Sequence, residues 1–357
     1  MYMKKLIFVF LGVALILSGC SIRIGGGSGE TPAKALDGGI FKSSTSGTTW
    51  QNKSLIPTTS GKAGSMAGFG NATLAMDPSD TKALYFAAAE GGVAVTYDGG
   101  ENWREIPGLR SMIVTSFVVD PKSKCILYAS TLNRLLKSDD CGRTWNQTYY
   151  DNDVKVSVTA LVIDHYDSKI LYIGTERGEI IQSTDSGKSW KTLNRFDNAV
   201  RKILLGPADS RLIFVATEGK TVFRSQDKGN TWTSLEPQLK DFKDYKRFRD
   251  LFVSPSQPGF VLLATKYGLI KSINNGDDWT ALELITPENE ATINSVITSP
   301  TNPEEIYYVT NTTFYSSVDG GQNWTTKKLP SSRPGHLILS DPSDPKTLYL
   351  TFQPVKK

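Results

Sequence analysis

The sequence predicts an all-β fold, a seven-bladed propeller of four-stranded antiparallel blades, and three observations predict it. Seven tryptophans recur at intervals of 42 to 53 residues. Each ends the same octapeptide, Ser/Thr-x-Asp-x-Gly-x-x-Trp, although two copies are degenerate at the acidic position. The two ends of the repeating region are half-units that complete one another. A four-stranded unit of about 45 residues repeated radially is the signature of a propeller.

The chain begins with an address. Lys4 and Lys5 precede a twelve-residue apolar run, Leu6 to Leu17, followed at once by Leu17-Ser18-Gly19-Cys20. A run of twelve is too short to span a bilayer, which needs about 20 residues, and suits the core of a signal peptide. The tetrapeptide resembles the bacterial lipobox. That resemblance implies cleavage before Cys20 and acylation of Cys20, with an ordinary secretory signal as the alternative. Residues 1–19 are therefore expected to be a lipoprotein signal peptide and residues 20–37 a flexible tether, rich in glycine and poor in large apolar side chains. Residues 38–357 are expected to be the propeller. The glycine run Gly25-Gly26-Gly27-Ser28-Gly29 follows no strand and lacks the Lys-Ser/Thr ending of a phosphate loop.

Each repeat reads as four short strands, A to D. In the third full copy, strand A is Val158 to Ile163, B is Lys169 to Thr175, C is Glu179 to Ser183, and D begins near Trp190. β-Branched and aromatic residues favour strands. A proline closes strand A in six copies, as in Asp77-Pro78, Asp120-Pro121 and Asp341-Pro342, where a missing donor ends pairing. An apolar pair then marks strand B: Leu84-Tyr85, Leu127-Tyr128, Leu171-Tyr172, Ile213-Phe214, Val261-Leu262, Ile306-Tyr307 and Leu348-Tyr349.

The octapeptide has a structural job. Its hydroxyl and carboxylate can bond turn amides. Its glycine permits a positive φ. Its tryptophan buries a large apolar area with an N–H free for a carbonyl. The complete boxes carry Asp98 and Trp103, Asp140 and Trp145, Asp185 and Trp190, Asp227 and Trp232, and Asp319 and Trp324; Thr45 with Trp50 and Asn274 with Trp279 are the degenerate pair. At the ends, Gly38 to Asn52 supplies only strands C and D, and His336 to Phe352 only A and B. Joined in one sheet they make the seventh blade and remove open edges.

The octapeptide resembles the Asp-box, or BNR repeat, from about residue 38 to the end. The order of Asp-Pro, Leu-Tyr and box is most similar to xyloglucanase- and sortilin-type repeats. The resemblance implies the propeller fold and leaves function open, since similar repeats occur in sialidases, xyloglucan-cleaving glycosidases, sortilin-type receptors and photosystem II assembly factors. Sialidases carry Phe/Tyr-Arg-Ile-Pro before their first box and have six blades; here Arg104-Glu105-Ile106-Pro107 has an extra Glu and lies on the wrong side of a box. Xyloglucanases use a cleft between two propellers, and this chain has one.

Composition narrows the partners. Forty basic and 36 acidic residues leave a net charge of +4, too small and dispersed for nucleic acid. Two histidines and three cysteines give no zinc framework, so no metal and no cofactor is expected. Cys125 at the start of a strand B and Cys141 in the turn after the following strand C fall within disulfide reach in an exported protein, with two free thiols as the alternative.

With A innermost, the B–C and D–A connections share one face. Variable loops on a regular scaffold are where binding usually lives. Two D–A connections stand out: Leu55 to Gly70, expected to be long and flexible with its small residues and four glycines, and Glu236 to Asp250, basic and aromatic. The second carries the expected partner-binding residues Lys240, Phe242, Lys243, Tyr245, Lys246, Arg247, Phe248 and Arg249; a solvated charged loop with its aromatics folded back is the alternative. Asp151, Asp153, Asp241 and Asp244 are expected to be solvated loop charges, and no catalytic pair is identified. The expected function is a lipid-anchored binding or assembly module for an envelope protein or polysaccharide. A glycoside hydrolase is the alternative, and a photosystem II assembly factor-like protein a further one.

Overall fold

The computed structural model describes residues 37–59 and 63–354. Cys20 and the leader and tether expected around it lie outside the described residues. The described chain forms seven four-stranded antiparallel sheets and one short hairpin. Blades I to VI span residues 71–105, 116–150, 158–195, 200–234, 248–281 and 295–328 in chain order. Blade VII takes strands A and B from Gly335–Asp341 and Asp344–Phe352, and strands C and D from Ile40–Ser43 and Gln51–Asn52. The split repeat thus closes the ring: Ile40 faces Thr351 and Ser43 faces Leu348. Inner strands of successive blades touch all the way round, from blade VII back to blade I.

Boundaries follow the repeat closely. In blade III the strands are Val158–Ile163, Leu171–Thr175, Glu179–Ser183 and Lys191–Arg195. Strand B starts two residues later than expected, because Asp164 and Asp167 bind the backbone of the preceding turn.

The apolar pair of strand B explains the packing. Successive strand side chains point to opposite faces. Leu84 therefore packs toward blade VII and Tyr85 toward blade II. Leu127 and Tyr128, Leu171 and Tyr172, and Leu348 and Tyr349 divide in the same way. Strand B is buried on both sides, so Leu171–Thr175, Ile213–Thr217 and Val261–Thr265 are buried at every residue. The result is one apolar cluster for each pair of neighbouring blades. Tyrosine also ties a blade to the next box: the Tyr128, Tyr172 and Tyr349 hydroxyls donate to the carbonyls of Ser186, Lys228 and Gly99.

The boxes repeat one hydrogen-bond network. In blade III, Ser183 Oγ accepts from Gly187 N at 2.8 Å and donates to Asp185 Oδ1 at 2.8 Å. Asp185 Oδ1 then accepts from Ser189 N at 2.9 Å, and Oδ2 from the Ser189 hydroxyl at 2.6 Å. Those bonds hold the Asp185 carboxyl at about 2, with the Ser189 hydroxyl contributing most. Asp140 and Asp227 are held equally low by the Thr144 and Thr231 hydroxyls, and Asp319 by the Asn323 backbone N–H first and its side-chain amide next. The degenerate boxes keep the geometry: Asn274 Oδ1 accepts from Asp278 N at 2.9 Å, and Thr45 Oγ1 from Thr49 N at 3.0 Å. Two consecutive residues need positive φ, not glycine alone: Ser186 has φ 61° before Gly187 at 87°. The indoles of Trp103, Trp190 and Trp324 donate to the carbonyls of Lys53, Thr148 and Glu283 in the preceding blade or the connection leaving it.

Three expectations need correction. The Leu55–Gly70 connection is built rather than loose: Leu55–Ile56 pairs with Gly64–Ser65, and a 3-10 turn at Met66–Gly68 is buried. Met66 packs beside Ile40 and Trp103, which holds the connection down. The 236–250 connection is shorter than expected, since Glu236–Leu239 is one helical turn and strand A of blade V already starts at Phe248. Cys125 and Cys141 are joined by a disulfide within blade II. Cys125 lies inside strand Ser123–Thr131 rather than opening it, where the register shifts between Ser123 and Leu127.

Candidate functional site: the face of the D–A connections

Antiparallel blades place the A–B and C–D turns, with every box, on one face. The B–C and D–A connections occupy the other. The N-terminal segment joins the ring there: the Asp37 carboxylate accepts from Ser332 N at 2.7 Å and from the Ser331 hydroxyl at 3.2 Å, both in the connection from blade VI to blade VII.

The basic connection between blades IV and V folds over its own scaffold. Leu235 and Leu239 are fully buried. Phe242 meets Tyr267 edge-on at 5.3 Å, and Tyr245 and Phe248 pack on the same cluster. The Tyr245 hydroxyl donates to Glu236 at 2.8 Å, and Lys246 Nζ lies 2.8 Å from the same carboxylate. Both contacts lower the Glu236 carboxyl, the one from Lys246 most, and the Glu236 carboxylate in turn raises Lys246. The aromatics of the expected site are thus largely spent on packing, while its cations stay outside. Lys240, Lys243 and Arg249 are exposed and have no ion-pair partner among the described residues.

Beside this connection lies a cleft of about 550 Å³ between blades IV and V. Lys246, Arg247, Phe248 and Arg249 line one wall, and Arg201 and Glu218 the other. Arg201 and Arg249 occupy equivalent places. Each is the extra residue of a β-bulge near the start of strand A, between Val200 and Lys202 and between Phe248 and Asp250. A bulge re-aims its side chain away from the regular pleat. Ala72, Thr159 and the His336–Leu337 pair hold the same place in blades I, III and VII. Beneath the cleft, Asp250 joins three inner strands: it accepts from Lys202 Nζ at 2.6 Å, Leu251 N at 2.9 Å and Val296 N at 2.9 Å. Burial lowers the His336 pKa, against the opposing pull of its bond to Ala72 O and of the Asp250 charge.

A second cluster sits between blades II and III. Asp151, expected to be solvated, is buried, and so is Glu179. Arg177 bridges them, with Nη2 at 2.6 Å from Asp151 and Nε at 3.1 Å from Glu179; Arg195 holds Glu179 from the other side. Asp151 is paired because the Asn133 amide, donating to Asp151 O at 2.7 Å, draws the connection onto the blade. Burial raises the Glu179 carboxyl, but the bonds from Arg195 and Arg177 outweigh it and the net pKa is lowered. Asp153 and Asp241 are exposed, and Asp244 lies between Arg247 at 3.6 Å and Lys266 at 3.7 Å.

Sequence reading missed Arg201, Glu218, Lys202 and Asp250, which meet the basic connection only in three dimensions. Aligning the second residue of strand A from blade to blade would have put Arg201 beside Arg249. Among the described residues, no group of three or more His, Cys, Asp or Glu side chains is placed to hold a metal ion.

The family model described as Sortilin, neurotensin receptor 3 (Sortilin-Vps10) matches residues 178–269, from the B–C turn of blade III into blade V. No curated protein matches the chain. Among solved structures, the GH74 enzyme of Niastella koreensis is similar over 80% of this chain at 16% identity, with a TM-score of 0.63. The GH74 xyloglucanase from Xanthomonas campestris is similar over the same share at 16% identity and a TM-score of 0.64. This chain spans 53% and 51% of those two proteins, about half their length. The structure described as YCF48 bound to D1 peptide is similar over 84% of this chain and 95% of its own, at 16% identity and a TM-score of 0.62. YCF48 from Cyanidioschyzon merolae matches at 14% identity over 85% of this chain and 99% of its own, also at 0.62. Repeats and ring together make this chain a seven-bladed β-propeller whose boxes are similar to the Asp-box (BNR) repeat, with a sortilin-type match confined to residues 178–269.

Proposed function

We propose that the protein is an exported, lipid-anchored binding or assembly module whose D–A face holds an acidic protein or an anionic polysaccharide of the cell envelope. The observation that carries this reading is the cationic cleft between blades IV and V. Arg201, Lys246, Arg247 and Arg249 line it; Arg201 is paired with Glu218 and Glu176, Lys246 with Glu236 and Arg247 with Asp244, and Arg249 has no ion-pair partner among the described residues. The exposed Lys240 and Lys243 widen the positive surface. Such a patch attracts anions, less so as salt rises. A propeller of this fold is known with a peptide bound, the YCF48 structure with D1 peptide.

The hydrolase reading draws on the likeness to GH74 enzymes. Hydrolysis needs two carboxyl groups in different states, one of them protonated. Two pairs of carboxylates on this face each share one guanidinium, Asp151 and Glu179 on Arg177, and Glu176 and Glu218 on Arg201. Glu179 is lowered, the opposite of a general acid. Binding is therefore the better supported reading, and a polysaccharide hydrolysis screen tests the other.

Two experiments address the proposal. Changing Lys243, Lys246, Arg247 and Arg249 together to Glu should leave the melting temperature within a few degrees, because exposed charges contribute only about 0–1 kcal/mol each. It should weaken partner retention from envelope extracts by at least about tenfold at low salt. Retention of the same partners at the same salt would move the binding site elsewhere on the ring. Separately, Cys20→Ala should shift the protein from the membrane to the soluble fraction, since stable anchoring needs the acyl chains. A wild-type intact mass with no acyl chain would overturn the anchor.

A further inference from the structure

The same face carries a second surface of different chemistry, over blades I to III. Met112 and Ile113 are 39% and 47% exposed, Leu132 is 58% and Val154 is 72%. They come from three separate connections, the D–A connection between blades I and II, the B–C turn of blade II, and the D–A connection between blades II and III. Backbone bonds knit these connections together. Thr115 N donates to Ser130 O at 3.0 Å, Val158 N to Leu132 O at 2.7 Å and Asp151 N to Asn133 O at 2.9 Å. Thr115 Oγ1 also donates to Val158 O at 2.9 Å.

These tips are held outward by rigid supports. Leu109 and Val114 are fully buried on either side of Met112 and Ile113, and Val156 is buried just after Val154. Met112 N donates to Leu109 O, and Val156 N to Asp153 O. Leu132 occupies a turn with φ 51°, a conformation costly for a branched side chain other than Asn or Asp. The corresponding turns of blades III and IV are Glu176-Arg177-Gly178 and Glu218-Gly219-Lys220. An exposed leucine in a strained turn, where neighbouring blades place charge and glycine, is a local rule broken without a gain in folding.

Each apolar tip also has a cation in the adjoining sequence: Arg110 before Met112, Arg134 after Leu132, and Lys155 after Val154. All three are exposed. Arg134 and Lys155 have no ion-pair partner among the described residues, whereas Arg110 is paired with Glu105 at 2.8 Å. Exposed apolar tips beside cations, Val154 standing between the exposed Asp153 and Lys155, match a bilayer surface better than a protein groove. The apolar groups enter the acyl boundary while the cations meet anionic headgroups. The path of the chain points the same way. It joins the ring at Asp37 on this face, 17 residues after Cys20. A tether of that length reaches at most about 60 Å.

We infer that Met112, Ile113, Leu132 and Val154, with Arg134 and Lys155, form a docking surface for an anionic lipid bilayer. The tether argument rests on the anchor proposed above; the surface chemistry does not. Docking would turn the D–A face toward the membrane, so the cationic cleft would meet partners at the membrane surface.

The test separates docking from anchoring. Full-length protein carrying Cys20→Ala is mixed with vesicles of phosphatidylcholine containing phosphatidylglycerol, and with phosphatidylcholine alone. It is compared with the same chain carrying Met112→Ser, Ile113→Ser, Leu132→Asn and Val154→Ser. The leader is common to both proteins, so their difference reports the tips alone. The four changes should lower partitioning to the anionic vesicles at least tenfold while the melting temperature stays unchanged. Arg134→Glu with Lys155→Glu should erase the preference for phosphatidylglycerol. Equal partitioning of the wild-type and four-site proteins would overturn the inference, whether or not the acylated protein is membrane-bound. Should the four-site protein melt early, hydrogen exchange of the wild type decides: docking requires amides 110–114, 132–134 and 153–155 to slow on anionic vesicles, and unchanged exchange there overturns it.

Discussion

Removal of residues 336–357 unfolds or aggregates the protein. The cut takes away strands A and B of blade VII and leaves Ile40–Ser43 without its inner partner. Leu348, Tyr349, Leu350 and Phe352 lie in that segment, each 0–1% exposed. At about 1.5–3 kcal/mol per buried side chain, their loss is worth about 6–12 kcal/mol. That approaches the whole stability of a domain, about 5–15 kcal/mol. The cut also opens the packed faces of blades VI and I and bares a strand edge that invites pairing between chains. Size-exclusion chromatography and a circular-dichroism melt check this. A monomer that melts at the wild-type temperature would show that the ring does not depend on closure.

Trp103→Ala destabilises the protein by about 3–5 kcal/mol, the cost of deleting a fully buried indole. Trp103 is 1% exposed and packs edge-on to Phe86. Its N–H donates to Lys53 O at 2.7 Å and Gly100 O at 3.1 Å, so truncation also leaves a carbonyl of blade VII without its donor. Trp324 occupies the same place in its box but is only half-buried, as the hairpin that covers Trp103 has no counterpart there. Trp324→Ala should therefore cost clearly less. Urea unfolding of the two variants measures the difference. Equal losses would mean that the box turn, rather than burial of the indole, carries the stability.

The contrast between those two tryptophans shows where sequence reading stops. The octapeptide, the strand order and the number of blades are local and repeated. Each depends on residues within about 45 positions of one another, and seven copies average out the exceptions. The apolar pair of strand B is of the same kind, since alternation along a strand already assigns one residue to each neighbouring blade. Even the degenerate boxes could be trusted, because Asn274 and Thr45 offer the acceptor that the turn requires.

The site is different in kind. Arg201 and Arg249 lie 48 residues apart and meet only because two blades stand side by side. In the sequence, Lys240 to Arg249 looked like one mixed surface of charge and aromatics. The fold separates it: Phe242, Tyr245 and Phe248 turn inward onto the apolar cluster of blades IV and V, and the cations remain outside. Asp151 illustrates the same limit, since its burial depends on Arg177, 26 residues away in the next blade. The exposed tips at Met112, Leu132 and Val154 are unremarkable in the sequence, where an apolar residue in a connection is more often core.

By itself, the sequence determined the ring. Repetition makes each blade's instructions local, and the split ends state how the circle closes. Only the tertiary structure decided which side chains the connections expose and which carboxylates and cations become partners. Those outcomes depend on contacts between blades, whose geometry comes from packing rather than from the order of residues along the chain.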